Sequence, residues 1–172
     1  MQSRIHRVRL PYAASSYNDD LCLKPPLLLW LAMAYLSRAI TLPVVMGICT
    51  FARVDSHVLA LFRQFWSSET LIPSLIASIV LFALFRRVPG ASQPLRWIWA
   101  RGRTLLALSA GIDLAMSLVL PIRQREIDQQ VLVSLCAAGI DAYFLLYILV
   151  ARRVRDTFAD FPPPLNATTS AL

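Results

Sequence analysis

Apolar residues gather into four runs along this chain, each close to the roughly 20 residues that an α-helix needs to cross a hydrocarbon core of about 30 Å. Polar, charged or proline-containing segments separate the runs, and none of them is long enough to fold as a second globular domain. The pattern predicts an all-α integral membrane protein with four transmembrane helices in one bundle. The predicted spans are residues 26–49, 71–88, 104–122 and 131–150.

The first two runs are less regular than the others. The first contains Arg38 and Pro43, and we expect Pro43, with Gly47 beyond it, to weaken the outer half of its helix. The second is short, because Arg86 and Arg87 follow directly after Phe85. Long arginine side chains can reach the headgroups from inside a short span, so the second run is still predicted to cross.

The segments outside the four runs have distinct characters. Residues 1–25 predict a cytoplasmic N-terminal segment, and residues 151–172 a cytoplasmic tail whose Pro-rich and then Ser/Thr-rich end is disordered. Apolar positions at helical spacing in residues 54–65 predict a short helix on the outer membrane surface. Trp97 and Trp99 lie between Arg96 and Arg101, a mixture typical of the headgroup region, where we expect them to anchor the chain.

Composition and charge support a membrane protein and indicate its orientation. Hydrophobic residues make up 57% of the chain and charged residues 16%, with a net charge of +7. Twelve Lys and Arg residues lie before the first run, between the second and third, and after the fourth, against four in the alternate segments. This asymmetry predicts that both termini are cytoplasmic. The same asymmetry explains the basic residues by their position beside the lipid bilayer, which is the predicted partner. No nucleic-acid partner is predicted.

Ionisable residues inside the apolar runs are the strongest functional clue. The third and fourth runs each contain the tetrapeptide Ala-Gly-Ile-Asp, which ends at Asp113 and at Asp141, and the first run contains Arg38. Counting at about 1.5 Å per residue places the two aspartates within roughly 3 Å of equal depth, near the middle of the membrane. A charge there costs roughly 2.5 to 3.5 kcal/mol on insertion scales, so intramembrane ionisable groups usually mark a site.

Helical spacing predicts which residues surround these charges. Ser109 and Ser117 lie four residues on either side of Asp113, and Ser134 lies seven residues before Asp141. On another face of the third span, Ala107, Gly111 and Ala115 form a small-residue stripe that should let helices approach closely. The predicted intramembrane polar cluster therefore comprises Arg38, Asp113, Asp141, Ser109, Ser117 and Ser134.

One arginine beside two aspartates leaves one negative charge in excess. Either one aspartate is protonated, or a cation or another subunit supplies the missing charge. The sequence leaves three roles open for the cluster: a structural network that locks helix register, a proton or ion relay in a transport component, and a surface that binds a larger membrane partner or a second copy.

An enzymatic function is not predicted. His6 and His57 are the only histidines, and the chain contains no HExxH, GxSxG or GxxxxGK[ST] motif. No metal site or cofactor is expected from so few ligands. Of the three cysteines, Cys49 and Cys136 both fall toward the outer leaflet, where a disulfide is compatible with the spans. Buried, unpaired thiols are nevertheless favoured for all three.

Two stretches resemble a known family. One stretch is residues 18–30, NDDLCLKPPLLLW, with Ser37 and Arg38 after it, and the other is residues 152–162, RRVRDTFADFP. Both are similar to the YfeZ-like bacterial inner-membrane proteins, a family of unknown function. The resemblance implies a small multi-pass protein of the bacterial cytoplasmic membrane. It implies no activity, cofactor or catalytic residue.

Overall fold

The computed structural model describes residues 12–18, 22–52, 70–88, 90–123 and 129–161, and these residues form an all-helical structure. Their regular elements are a 3-10 turn and seven α-helices. The turn is Ala14–Ser16, and the helices are α1 Leu27–Leu36, α2 Arg38–Phe51, α3 Leu71–Phe85, α4 Gln93–Ala100, α5 Gly102–Arg123, α6 Gln129–Val150 and α7 Arg152–Ala159.

Two of these helices, α5 and α6, are each long and apolar enough to cross a membrane, as predicted for the third and fourth runs. The first run is divided between α1 and α2, which reach that length and hydropathy only when taken together. Helix α3 is apolar but has 15 residues. The described residues therefore hold two or three candidate spans, and the apolar character that the sequence predicted is present.

The break in the first run lies at Ser37, where α1 and α2 meet at a bend of 83°. It precedes Pro43, the predicted weak point, and α2 continues through that proline. Local side-chain bonds support the turn, because the Ser37 hydroxyl donates to the Ala34 carbonyl and the Thr41 hydroxyl donates to the Ser37 carbonyl. In addition, the Ala39 N–H at the start of α2 donates to the Ser74 hydroxyl of α3 at 3.2 Å.

Helix α5 lies at the centre of the bundle. It packs against α6 along most of its length, and also against α3, α1, α4 and α7. Arg103 donates to the Ile148 carbonyl near one end of this pair, whereas the Ser134 hydroxyl donates to the Ser117 carbonyl near the other, so α5 and α6 are antiparallel. The core between the helices is apolar and includes Leu29, Met33, Val80, Leu106 and Ile148.

The two ends of the described chain meet beside the same end of the bundle. The Tyr12 hydroxyl donates to Asp156 of α7 at 2.7 Å, and the Leu23 N–H donates to the Asp160 carboxylate at 2.6 Å. Arg87 joins them, because it donates to the carbonyls of Leu23 and Asp160. We call these contacts of Tyr12, Leu23, Arg87, Asp156 and Asp160 the terminal clasp.

The predicted disordered end lies almost entirely outside the described residues, which stop at residue 161, and the predicted surface helix at residues 54–65 lies wholly outside them. The part of the tail that is described is ordered as α7. Its Val154, Thr157 and Phe158 are buried against the bundle. Helical order in this stretch depends on that packing, because eight residues are too few for a stable isolated helix.

The two tryptophans of α4 have different environments. Trp97 is 54% exposed, as expected for a headgroup anchor, but Trp99 is fully buried. The Trp99 ring packs on Phe158 with centroids 4.7 Å apart, and its indole N–H donates to the Asp160 carbonyl at 3.1 Å. The prediction was therefore wrong for Trp99. Residues two apart on a helix point in nearly opposite directions, so only one of the pair can face outward.

Close packing at glycine occurs at Gly102 and not at Gly111. A methyl group added at Gly111 would find no atom within 4 Å among the described residues, so the predicted role of the small-residue stripe is wrong at its central position. At Gly102, by contrast, an added methyl would collide with the Phe158 ring and lie 3.2 Å from Val80. This glycine allows α7 to approach the start of α5.

None of the three cysteines forms a disulfide in the described structure. Cys22 is buried, as predicted, whereas Cys49 is partly exposed and Cys136 is exposed. The burial expected for Cys136 is therefore wrong. The structure contains no disulfide between Cys49 and Cys136.

Candidate functional site

Arg38, the first residue of α2, binds Asp113 of α5 through both terminal nitrogens. Its Nη1 lies 2.6 Å from Asp113 Oδ2, and its Nη2 lies 3.0 Å from Asp113 Oδ1. Such a two-point contact matches the planar guanidinium to the planar carboxylate and fixes their relative orientation. The break at Ser37 brings Arg38 to α5, so the bend and the ion pair form one arrangement.

Asp141 of α6 approaches the same arginine but is held less firmly. Its Oδ1 is 3.9 Å from Arg38 Nη1, and its Oδ2 accepts a hydrogen bond of 3.3 Å from the Ser117 hydroxyl. Among the described residues, Asp141 Oδ1 has no hydrogen-bond partner. The two aspartates of the Ala-Gly-Ile-Asp repeat thus share one arginine unequally.

Tyr35 of α1 completes the surroundings of Arg38. The Arg38 guanidinium carbon lies 4.3 Å above the centre of the Tyr35 ring, a distance suited to a cation–π contact. The Tyr35 hydroxyl reaches α6, where it donates to the Ala137 carbonyl at 3.4 Å. The predicted cluster did not include Tyr35. An aromatic residue three positions before a buried arginine was the available signal.

The three predicted serines have different roles. Ser117 lies in the cluster, where it donates to Asp141. Ser134 lies next to the cluster, because its hydroxyl donates to the backbone carbonyl of Ser117 at 2.6 Å. Ser109 lies apart from the charges, since its hydroxyl donates to the Pro73 carbonyl of α3 at 2.8 Å. Helical spacing identifies a common face, but it does not say which neighbouring helix that face meets.

Burial makes the charge imbalance of the cluster important. Asp113 and Asp141 are both fully buried, and the Arg38 side chain is 13% exposed. One guanidinium therefore faces two carboxylates. Among the described residues, no group of three or more His, Cys, Asp or Glu side chains is placed to hold a metal ion. Asp113 is committed to Arg38. Asp141 is the group that has a free oxygen with which to accept a proton or another donor.

Comparison with known proteins identifies a family but no activity. A family model described as "Protein of unknown function (DUF2919)" matches residues 12–160, which include every residue of the cluster. No curated protein and no solved structure matches the chain.

Proposed function

The chain belongs to the DUF2919 family, whose function is unknown, and we propose that it is a non-enzymatic, multi-pass membrane component that binds another membrane protein. The observation that carries this proposal is the two-point contact between Arg38 and Asp113. This contact anchors the start of α2 to the bundle, while the rest of α2 turns away from α1 by 83°.

The apolar surface of α2 is the proposed contact region. Ala39 is its buried residue, whereas Val44 is 59% exposed, Ile48 63% and Phe51 93%. Lipid alone can cover such a surface. Burying an ion pair at the start of α2 nevertheless costs free energy. A helix that only contacts lipid needs no fixed direction, so this cost is explained if α2 must point toward a partner. A fixed, projecting apolar helix is suited to packing against another transmembrane helix.

The proposal includes four crossings of the bacterial inner membrane, with both termini in the cytoplasm. The terminal clasp supports an even number of crossings, because it joins residues near both ends of the chain at one end of the bundle. Two long helices, the α1–α2 pair and α3 would supply the four. The excess of arginine on the side of the clasp supports a cytoplasmic position for it, and the resemblance to YfeZ-like proteins supports the inner membrane.

A photo-crosslinking amino acid placed at Ile48 tests this proposal, with Leu146 of α6 as the matched control. Both side chains are apolar and 63% exposed, so lipid should reach them equally. We expect a discrete protein crosslink at position 48 in native membranes and none at position 146. A crosslink between two copies would identify the partner as a second copy of this chain. Lipid adducts alone at both positions would reject the proposal.

The role of the ion pair is tested by the same crosslink in two further variants. Asp113→Asn removes the anchor of α2 and should abolish the crosslink at position 48. Asp141→Asn leaves the two-point contact in place and should retain it. Equal crosslinking in both variants would mean that α2 is directed by something other than Arg38 and Asp113.

A second candidate function is proton- or ion-coupled transport, in which Asp141 binds and releases a proton. The observation that favours it is the buried Asp141 oxygen without a hydrogen-bond partner among the described residues, next to a broken helix. Flux of protons into liposomes that contain the purified protein would test it. Asp141→Asn should abolish the flux without loss of thermal stability, and an inactive wild-type protein would rule the candidate out.

A further inference from the structure

Helix α7 has a basic outer surface that neither the cluster nor the contact region of α2 uses. It begins two residues after α6 ends at Val150, so it lies where a span would leave the membrane. One side packs inward through Val154, Thr157 and Phe158. The other side exposes Arg152, Arg153 and Arg155.

The acidic residues of this region neutralise that surface only in part. Asp160 is engaged by the Leu23 N–H and lies 3.6 Å from Arg87, on the inner side of the clasp. Asp156 accepts from Tyr12 and lies 3.6 Å from Arg155. Within the described residues, Arg152 and Arg153 have no carboxylate within 4.0 Å.

Helix α4 extends this surface sideways. It packs on α7 through Trp99 and Phe158, whose ring centres are 4.7 Å apart. On its outward side, the Arg101 guanidinium lies 4.3 Å above the ring of Trp97, which is 54% exposed. An exposed indole stacked with an arginine suits the boundary between acyl chains and phosphates.

We infer that this arginine surface binds the phosphate headgroups of anionic phospholipids. Its defining residues are Trp97, Arg101, Arg152, Arg153 and Arg155. A guanidinium can donate two hydrogen bonds to two oxygens of one phosphate. Because α7 follows directly after α6, its arginines lie at the depth of the headgroups. Because Asp160 lies beside Arg87, and Asp156 pairs with only one of the three arginines of α7, Arg155, the outward charge stays positive and complements an anionic membrane surface.

The experiment is native mass spectrometry of the purified full-length chain, released from detergent that contains equal amounts of phosphatidylglycerol and phosphatidylcholine. The wild type should retain phosphatidylglycerol selectively. In Arg152→Gln/Arg153→Gln/Arg155→Gln, the retained phosphatidylglycerol should fall by more than about tenfold, because each arginine near an anionic surface contributes to binding. Arg152→Lys/Arg153→Lys/Arg155→Lys keeps the charge but not the paired donors, and should bind at an intermediate level.

The matched control is Arg53→Gln/Arg63→Gln/Arg123→Gln, which removes three charges from segments that the sequence predicts for the opposite side of the membrane. It should retain phosphatidylglycerol as the wild type does. If the α7 Gln variant and this control lose the same amount of phosphatidylglycerol, net charge alone explains the binding and the inference is overturned. Displacement of the lipid by an oligonucleotide, or by inorganic phosphate at the same concentration, would also overturn the inference. A fold check by circular dichroism distinguishes lost binding from lost structure.

Discussion

Arg38 meets Asp113 with two nitrogens at 2.6 and 3.0 Å, although an identical tetrapeptide presents Asp141 to the same guanidinium at 3.9 Å. The two aspartates therefore differ in what they do, despite their equal sequence context and equal burial. Asp113 holds the first residue of α2 against α5. Asp141 is oriented by the weaker bond from Ser117 and keeps one oxygen without a partner in the described structure.

Asp113→Asn should destabilise the protein by about 3 to 5 kcal/mol, because it leaves the mostly buried Arg38 guanidinium without its close carboxylate. Unfolding of the purified protein in detergent, followed by circular dichroism against denaturant, measures this change.

Asp141→Asn is the control for that measurement. It removes the excess negative charge and keeps the two-point contact, so we expect stability equal to or above that of the wild type. If both variants lose the same stability, the two aspartates act as one structural unit. The unequal sharing of Arg38 would then have no energetic consequence.

Asp160→Ala should loosen the N-terminal segment from α7. The substitution leaves the buried Leu23 N–H without its acceptor, which costs about 1 to 3 kcal/mol for an unsatisfied buried donor. Hydrogen–deuterium exchange of peptides that cover residues 22–26 should accelerate. Asp160→Asn keeps an acceptor oxygen and removes the charge, so protection that survives in this variant would assign the effect to the hydrogen bond. Unchanged exchange in Asp160→Ala would mean that the hydrogen bonds that Arg87 and Trp99 donate to the backbone carbonyl of residue 160 are enough to hold the N-terminal segment.

The contact between Tyr12 and Asp156 should depend on pH at the alkaline end. The hydrogen bond to the Asp156 carboxylate raises the pKa of the Tyr12 hydroxyl above its ordinary value of 10.0. Since the neutral phenol is the donor, the contact is fully present below pH 10 and is lost as the pH rises through the raised pKa. Ultraviolet titration of phenolate in the wild type and in Tyr12→Phe should differ by one late-titrating group. Superimposable curves after scaling for tyrosine number would contradict this.

Gly102→Ala and Gly111→Ala should have opposite effects on stability. At Gly102 the new methyl meets the Phe158 ring, so α7 must shift, at a typical cost of about 1 to 3 kcal/mol. At Gly111 the methyl meets no atom of the described residues within 4 Å, and in the middle of a helix alanine is preferred over glycine by up to about 1 kcal/mol. Thermal unfolding of both variants in the same detergent makes the comparison. A loss at Gly111 would indicate that this position meets a partner helix in the assembled protein.

Much of the helical plan could be predicted from the chain, because apolar length and helical period are local properties. The pairing of α5 with α6 follows from their short connection, and the meeting of Arg38, Asp113 and Asp141 from their similar distances along their runs. Tyr35 and the burial of Trp99 were missed, since each depends on a neighbour distant in sequence: Ala137 for Tyr35, and Phe158 with Asp160 for Trp99.

The amino-acid sequence alone determined that this is an apolar, helical chain with three ionisable groups inside its apolar runs, because hydropathy and residue spacing do not depend on packing. Only the tertiary structure decided how those groups share their charges. The bend at Ser37 sets the position of Arg38 at the start of α2, where both terminal nitrogens meet Asp113 and Asp141 is left 3.9 Å from Nη1. Identical tetrapeptides in α5 and α6 thus acquire different roles from the direction in which α2 leaves the bundle.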